Sequence, residues 1–200
     1  MAVSRDLLIN AALQVVTQDG FGAMTLDAVA KAAGVSKGGL IHYFPSKDAL
    51  VTGMLDAYGE QLERELDRRA AVDPLITGRR VRAMMQFAFP WLEPPEAGEA
   101  LHPAQQSDGV RMLLAMITAA GVNRELLAPL RDRARKMMDR MLAQDPDADW
   151  QLLTWLAVDG LMLWQYLGLL PPSDPLQEQL IRRLYALTKQ PPPRPAEVGS

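Results

Sequence analysis

In the stretch VAKAAGVSKGGLIHYFPSKDAL, Val29–Leu50, two adjacent glycines, Gly38 and Gly39, interrupt a segment that otherwise reads as helix. Each interior glycine costs about 1 kcal/mol against alanine, so the pair needs a reason other than helix stability. Near a helix N-terminus bare backbone leaves amides free and the positive end of the helix dipole open, and a phosphate can come close where no side chain intervenes. Relief of packing against a neighbouring helix explains the pair equally well, and spacing alone leaves both explanations open. Covalent chemistry is harder to find. The chain has no cysteine and only two histidines, His42 and His102, which excludes thiolate catalysis, disulfides and a histidine- or cysteine-built metal site. It also lacks Gly-x-Ser-x-Gly, a phosphate-binding glycine loop and a nucleophile with an evident base, so neither an enzyme nor a cofactor is expected.

The elements around the glycines are helices. Sustained apolar–polar alternation and hairpin dipeptides between β-branched runs are missing, so an all-α chain is expected. Ser4 opens a helix to Asp19, with Leu7, Ala11, Ala12, Leu13 and Val15 or Val16 inward and Gly20 at its stop. Thr25 caps a short second helix to Ala33, with Asp27 in the first turn, where the dipole favours an anion, and Gly34 at its end. Ser36 caps a third helix ending near Phe44, and Pro45-Ser46 breaks the chain before a long fourth helix to about Ala71. Along that helix Leu50, Met54, Leu55, Tyr58, Leu62 and Leu66 recur at three- and four-residue steps, with Glu60–Arg64 and Glu65–Arg69 pairs outside. Two short helices joined at a glycine, with small Ala30 four residues before Gly34, have the spacing of a helix-turn-helix, whose second helix enters the major groove. A helical hairpin used for protein contacts is the alternative.

Over residues 4–55 the chain resembles, without gaps, the TetR family of bacterial transcription regulators. The likeness is carried by ALQVVTQDGFGAMTLDAVAKAAGVSKGGLIHYFPSKDAL, with DGF, the threonine before helix 2, AGVSKG and HYFPSKDAL as its marks. It implies a three-helix DNA-binding domain in which Thr25 meets a phosphate, Lys37 reaches into the major groove, and Tyr43 and Lys47 contact phosphates. Gly38 and Gly39 belong to the same DNA surface. Two positions depart from the pattern: Gly39 stands where many members have a hydroxyl residue, and Ile41 where a tyrosine is usual. Ile41 cannot donate a hydrogen bond, so it either packs inward or meets a thymine methyl group. His42 either faces DNA or caps the core of the domain. Arg5, Lys31, Lys37 and Lys47 balance Asp6, Asp19, Asp27 and Asp48, so affinity should rest on few phosphate contacts per subunit.

The remainder reads as further helices at about 109–120, 123–144, 149–170 and 174–189. Eight methionines lie between residues 84 and 162. Met84, Met112, Met116, Met138 and Met162, with Phe87, Trp91 and Trp155, are the candidate lining of a cavity for a small, largely apolar effector, since methionine adapts to varied ligands. The segment Pro90–Pro103 is either a portal over that cavity or a plain loop. The helix at 149–170 is apolar on nearly every face and must be buried on all sides, which a partner subunit supplies most economically. Candidate dimer residues are Leu153, Leu161, Trp164, Leu180 and Leu184. The family resemblance implies the same: the last two helices pair with their copies in a four-helix bundle, and the dimer meets a palindromic operator. Asp159, inside the apolar helix, needs an arginine or backbone partner at the dimer seam, or a cationic ligand.

The composition fits this division. Of 200 residues 48% are hydrophobic and 22% charged, the formal charge is −3, and no run of 18 uncharged apolar residues suggests a membrane span. The absence of cysteine and of a signal-like N-terminus fits the cytoplasm. A chain without net positive charge must contact DNA through local geometry. The expected plan is a helix-turn-helix domain at 1–47, a helical ligand-binding and dimerisation domain at 48–190, and a proline-rich, unfolded tail at 191–200. Its expected partners are double-stranded operator DNA, a small-molecule effector and a second copy of itself, with no membrane. Repression is the family default; a ligand-independent regulator, or an adaptor without DNA binding, is the alternative.

Overall fold

The computed structural model describes residues 3–92, 124–145 and 147–190. Eight α-helices occur among them: α1 (Arg5–Asp19), α2 (Leu26–Ala33), α3 (Lys37–Tyr43), α4 (Lys47–Val72), α5 (Arg79–Ala88), α6 (Ala128–Gln144), α7 (Ala148–Tyr166) and α8 (Pro175–Leu187). There is no strand among the described residues. The helix expected near 109–120, Met112, Met116, most of the Pro90–Pro103 segment and the tail from 191 lie outside them. The chain divides into two compact units, one of residues 3–63 with 124–135 and the other of 64–92 with 136–145 and 147–190.

In the first unit, hydroxyl caps fix the helix starts. Ser4, Thr25, Ser36 and Ser46 accept from the amides of Leu7, Ala28, Gly39 and Ala49 at 3.0–3.2 Å; each such cap contributes about 1 kcal/mol. Gly20 and Gly34 end α1 and α2 with φ of +82° and +67°, angles that cost other residues about 1–2 kcal/mol. The core joins Leu8, Ala12, Val15 and Val16 of α1 to Val29 and Ala30 of α2, Leu40 of α3 and Leu50, Val51, Met54 and Leu55 of α4. Ala11, Ala12, Val15 and Val16 are buried as expected, joined by Leu8 and Ile9, while Leu7 and Leu13 are only half-buried. Leu8, Ala12 and Val15–Val16 form the stripe that faces α2, and Leu7 flanks it.

Two glycines in α4 admit side chains from elsewhere in this unit. A Cβ at Gly53 would stand 2.6 Å from the ring of Phe44, so the bare backbone seats that buried ring just after α3. A Cβ at Gly59 would stand 2.5 Å from Cδ of Arg133 on α6. Across that notch Arg133 reaches Asp56 at 2.7 Å, Glu63 at 2.9 Å and Glu60 at 3.3 Å, and the Asp56 carboxylate in particular raises the guanidinium pKa. The expected Glu65–Arg69 pair is present at 2.6 Å.

The second unit is organised by Arg82, 1% exposed in α5. All five of its N–H donors are used: Nε and Nη2 on the Asp73 carboxylate, Nη2 on the Leu75 carbonyl, and Nη1 on the carbonyls of Thr77 and Thr188. Beside it Gly78, at φ +74°, donates its amide to Asp145 at 2.8 Å. A Cβ at Gly78 would meet the Thr188 carbonyl at 2.5 Å. α7 ends at Tyr166 rather than near 170, because Gly168 takes φ +72° and the amide of Leu169 returns to the Trp164 carbonyl at 2.9 Å. α8 starts at Asp174, whose carboxylate accepts from the Leu176 amide, with Pro175 in the first turn.

Candidate nucleic-acid interface

α3 presents its N-terminal end and one side to solvent while Leu40 anchors it in the core. A Cβ at Gly38 would meet nothing within 4 Å, and one at Gly39 would meet only Ser36 Oγ at 3.3 Å and Val3 Cγ2 at 3.9 Å. Neither glycine is there to make room for α1. The packing explanation therefore fails, and open backbone at a helix N-terminus remains.

The other residues of the surface are placed as follows. Thr25 Oγ1 accepts from the Ala28 amide at 3.1 Å, its lone pair turned to its own helix. Lys37 Nζ lies 2.9 Å from Asp27 Oδ2, a pairing that neither residue's local sequence suggests. Ile41 is 39% exposed, which removes the inward-packing alternative for it. His42 is exposed and sets its ring edge-on to Tyr43, with centroids 5.4 Å apart, so it does not cap the core. The exposed Tyr43 donates its hydroxyl to the Val3 carbonyl at 2.9 Å; a phosphate must compete for that single proton. Lys47 places Nζ 4.7 Å from the centre of the Phe21 ring. Lys37, Gly38, Ile41, His42 and Tyr43 thus share one short exposed helix. Thr25 stands at the start of its hairpin partner α2, and Lys47 at the start of α4.

The residues expected to hold a ligand are mostly buried in the second unit. Met84, Trp91, Trp155 and Met162 are buried, and Phe87 and Met138 half-buried. Trp91 lies 6.1 Å from the Phe89 ring, carries the Arg182 guanidinium 4.9 Å from its centre, and has an indole N–H with no acceptor among the described residues. A cavity of about 350 Å³ in this unit is bordered instead by Arg68, Asp73, Gln86, Tyr185 and Lys189. Asp159 receives neither an arginine nor a backbone partner among the described residues: the Trp155 indole bonds to it, and burial pushes its pKa up to about 6.

Nor is α7 buried all round among the described residues. Trp155, Val158 and Met162 face inward, but Leu153 is 62% exposed, Leu156 63% and Trp164 55%, and Leu163 and Leu167 are also bare. Leu161, Leu180 and Leu184 are half-buried. A monomer rarely leaves so much contiguous apolar surface to water.

A capped helical hairpin with an exposed, glycine-opened second helix, followed by an apolar helical unit of its own, defines a helix-turn-helix DNA-binding regulator. The family model described as bacterial regulatory proteins, tetR family, matches residues 8–54, and the one described as tetracyclin repressor-like, C-terminal domain, matches 78–189. The chain belongs to the TetR family of bacterial transcriptional regulators, which makes it a regulator and not an enzyme. It is 26% identical over 182 residues to the HTH-type transcriptional regulator BetI of Escherichia coli O127:H6 (strain E2348/69 / EPEC), covering 90% of this chain and 91% of that one. It is 35% identical over 135 residues to BetI of Rhizobium meliloti (strain 1021), covering 64% and 65%. Among solved structures, the multidrug binding protein EbrR complexed with malachite green shares the fold with a TM-score of 0.62 at 22% identity, covering 92% of this chain and 98% of that one. No helix among the described residues is long and apolar enough to cross a membrane.

Proposed function

We propose that the protein is a homodimeric, cytoplasmic repressor that holds a palindromic operator through α3 and leaves it when a small, largely apolar effector binds the C-terminal half. The observation that carries the DNA contact is the open backbone at Gly38, next to Gly39 with its Ser36-bonded amide and beside exposed Lys37, Ile41, His42 and Tyr43. In this reading residues 1–47 read DNA and 48–190 bind ligand and partner. Ile41 lies against a thymine methyl, and phosphates meet Thr25, Tyr43, Lys47 and the amides at the start of α3.

The dimer reading is supported by the apolar stripe of Leu153, Leu156, Leu163 and Trp164 on α7 and Leu167 just after it, which is exposed among the described residues. The effector reading is supported by the buried Met84, Trp91, Trp155 and Met162 and by the indole N–H of Trp91, which has no acceptor among the described residues. It is supported too by the structural neighbour EbrR, complexed with malachite green and, in another structure, with ethidium, both aromatic dyes. α4 runs unbroken from Lys47, just after the hairpin, to Val72, and in this reading it carries the effector's influence to the DNA-reading helices. DNA and effector then favour different states of the dimer, and each weakens the other by the same factor.

The test is a fluorescence titration of operator-bound protein with aromatic and aliphatic ligands. Release by a ligand that binds free protein, lost in Trp91→Ala, is the expected outcome. A ligand that binds while operator affinity stays unchanged removes the effector part of the reading.

A further inference from the structure

The two short helices of the hairpin are tied at one exposed point. Lys37, the first residue of α3, places Nζ 2.9 Å from Oδ2 of Asp27 in the first turn of α2. Their side chains are 54% and 70% exposed. A pair so open to water contributes little to stability, so its use lies elsewhere. Asp27 stands two residues after Thr25, at the helix end turned to phosphate in the proposed docking. A carboxylate there repels a polyanion unless a cation covers it. Lys37 covers it with one ammonium proton and keeps two for other acceptors.

Resting on the docking of α3 in the major groove, we propose that Asp27 is a positioning residue for Lys37 and a filter against non-cognate DNA. It fixes the ammonium where a base-edge acceptor can use it, and it denies a random duplex a freely swinging cation. With Lys37 removed, the same carboxylate becomes a bare negative charge facing the DNA backbone. Two consequences follow from the charges alone. Neutralising Asp27 strengthens binding to any duplex through phosphate while loosening the geometry the operator needs. Neutralising Asp27 in a protein already lacking Lys37 removes repulsion and restores affinity.

The experiment uses operator duplexes selected from a random library by the full-length wild type, and scrambled duplexes of equal length and composition. Wild type, Asp27→Asn, Lys37→Ala and the double variant are titrated at several salt concentrations, with thermal melting of each as a check on the fold. Asp27→Asn is expected to bind scrambled duplex about fivefold more tightly, with a salt slope steeper by about one ion per subunit, and to gain nothing on the operator. Lys37→Ala is expected to lose operator binding, and the double variant to recover part of that loss. An unchanged operator-to-scrambled ratio in Asp27→Asn, or no recovery in the double variant, overturns the inference and leaves the DNA reading standing. Failure of the wild type to select any sequence overturns both.

Discussion

At Gly38 stability and function pull in opposite directions, and at Asp159 a buried charge costs stability. A methyl group at Gly38 meets open space, so Gly38→Ala should raise stability by about 0.5–1 kcal/mol. The same methyl stands where a phosphate is to approach, so operator affinity should fall about tenfold, the worth of one charge-assisted hydrogen bond; urea unfolding and a DNA titration on one preparation check both. Asp159, with its pKa raised to about 6 by burial, binds a proton more tightly folded than unfolded. Stability from this group is therefore full below about pH 4 and is lost as pH rises towards 6. Asp159→Asn should be more stable than wild type by about 2–3 kcal/mol at pH 7.5 and equal to it near pH 3.5, by urea unfolding at both pH values. That Ile41 and His42 face water was not legible in the sequence, where each had two reasonable orientations. α3 is only seven residues long, and one core residue, Leu40, sets its rotation.

At the scale of elements, helix starts and stops were legible because they are written in local chemistry. Ser4, Thr25, Ser36 and Asp174 cap the helices that follow them, and Gly20 and Gly34 end theirs. The end of α7 was missed, since Gly168 sits inside an apolar run that hides its stop signal. Long-range ties were invisible for the same kind of reason: Arg82 meets Thr188, and Gly78 meets Asp145, across distances in sequence that carry no periodicity. Both ties are testable. Gly78→Ala places a side chain at positive φ and drives it onto the Thr188 carbonyl, and should cost about 3 kcal/mol or more. Arg82→Met strands the Asp73 carboxylate, only 14% exposed, and should cost about 3–5 kcal/mol, with much of it restored in Arg82→Met/Asp73→Leu. Thermal melting of the variants reads these effects.

For the whole molecule, the expectation of a dimer rested on a premise that the structure corrects. α7 is apolar on nearly every face, yet among the described residues only the side of Trp155, Val158 and Met162 is buried. In the proposed dimer the partner covers the exposed side with Leu153, Leu156 and Trp164. Leu156→Glu with Trp164→Glu should leave a folded monomer at micromolar concentration, by light scattering, with operator affinity greatly reduced because one reading head must then bind alone. The ligand site was the least legible part: methionine and aromatic residues are as much core as pocket, and two of its expected members, Met112 and Met116, lie outside the described residues. The most direct test of a dimeric, α3-borne DNA contact is selection of random duplexes by the full-length protein with sequencing of the survivors, repeated for Lys37→Ala and Tyr43→Ala. The expected result is a palindrome whose half-sites recur at a fixed spacing, lost in Lys37→Ala and weakened in Tyr43→Ala. An asymmetric single site, or no enrichment at low salt, would contradict it.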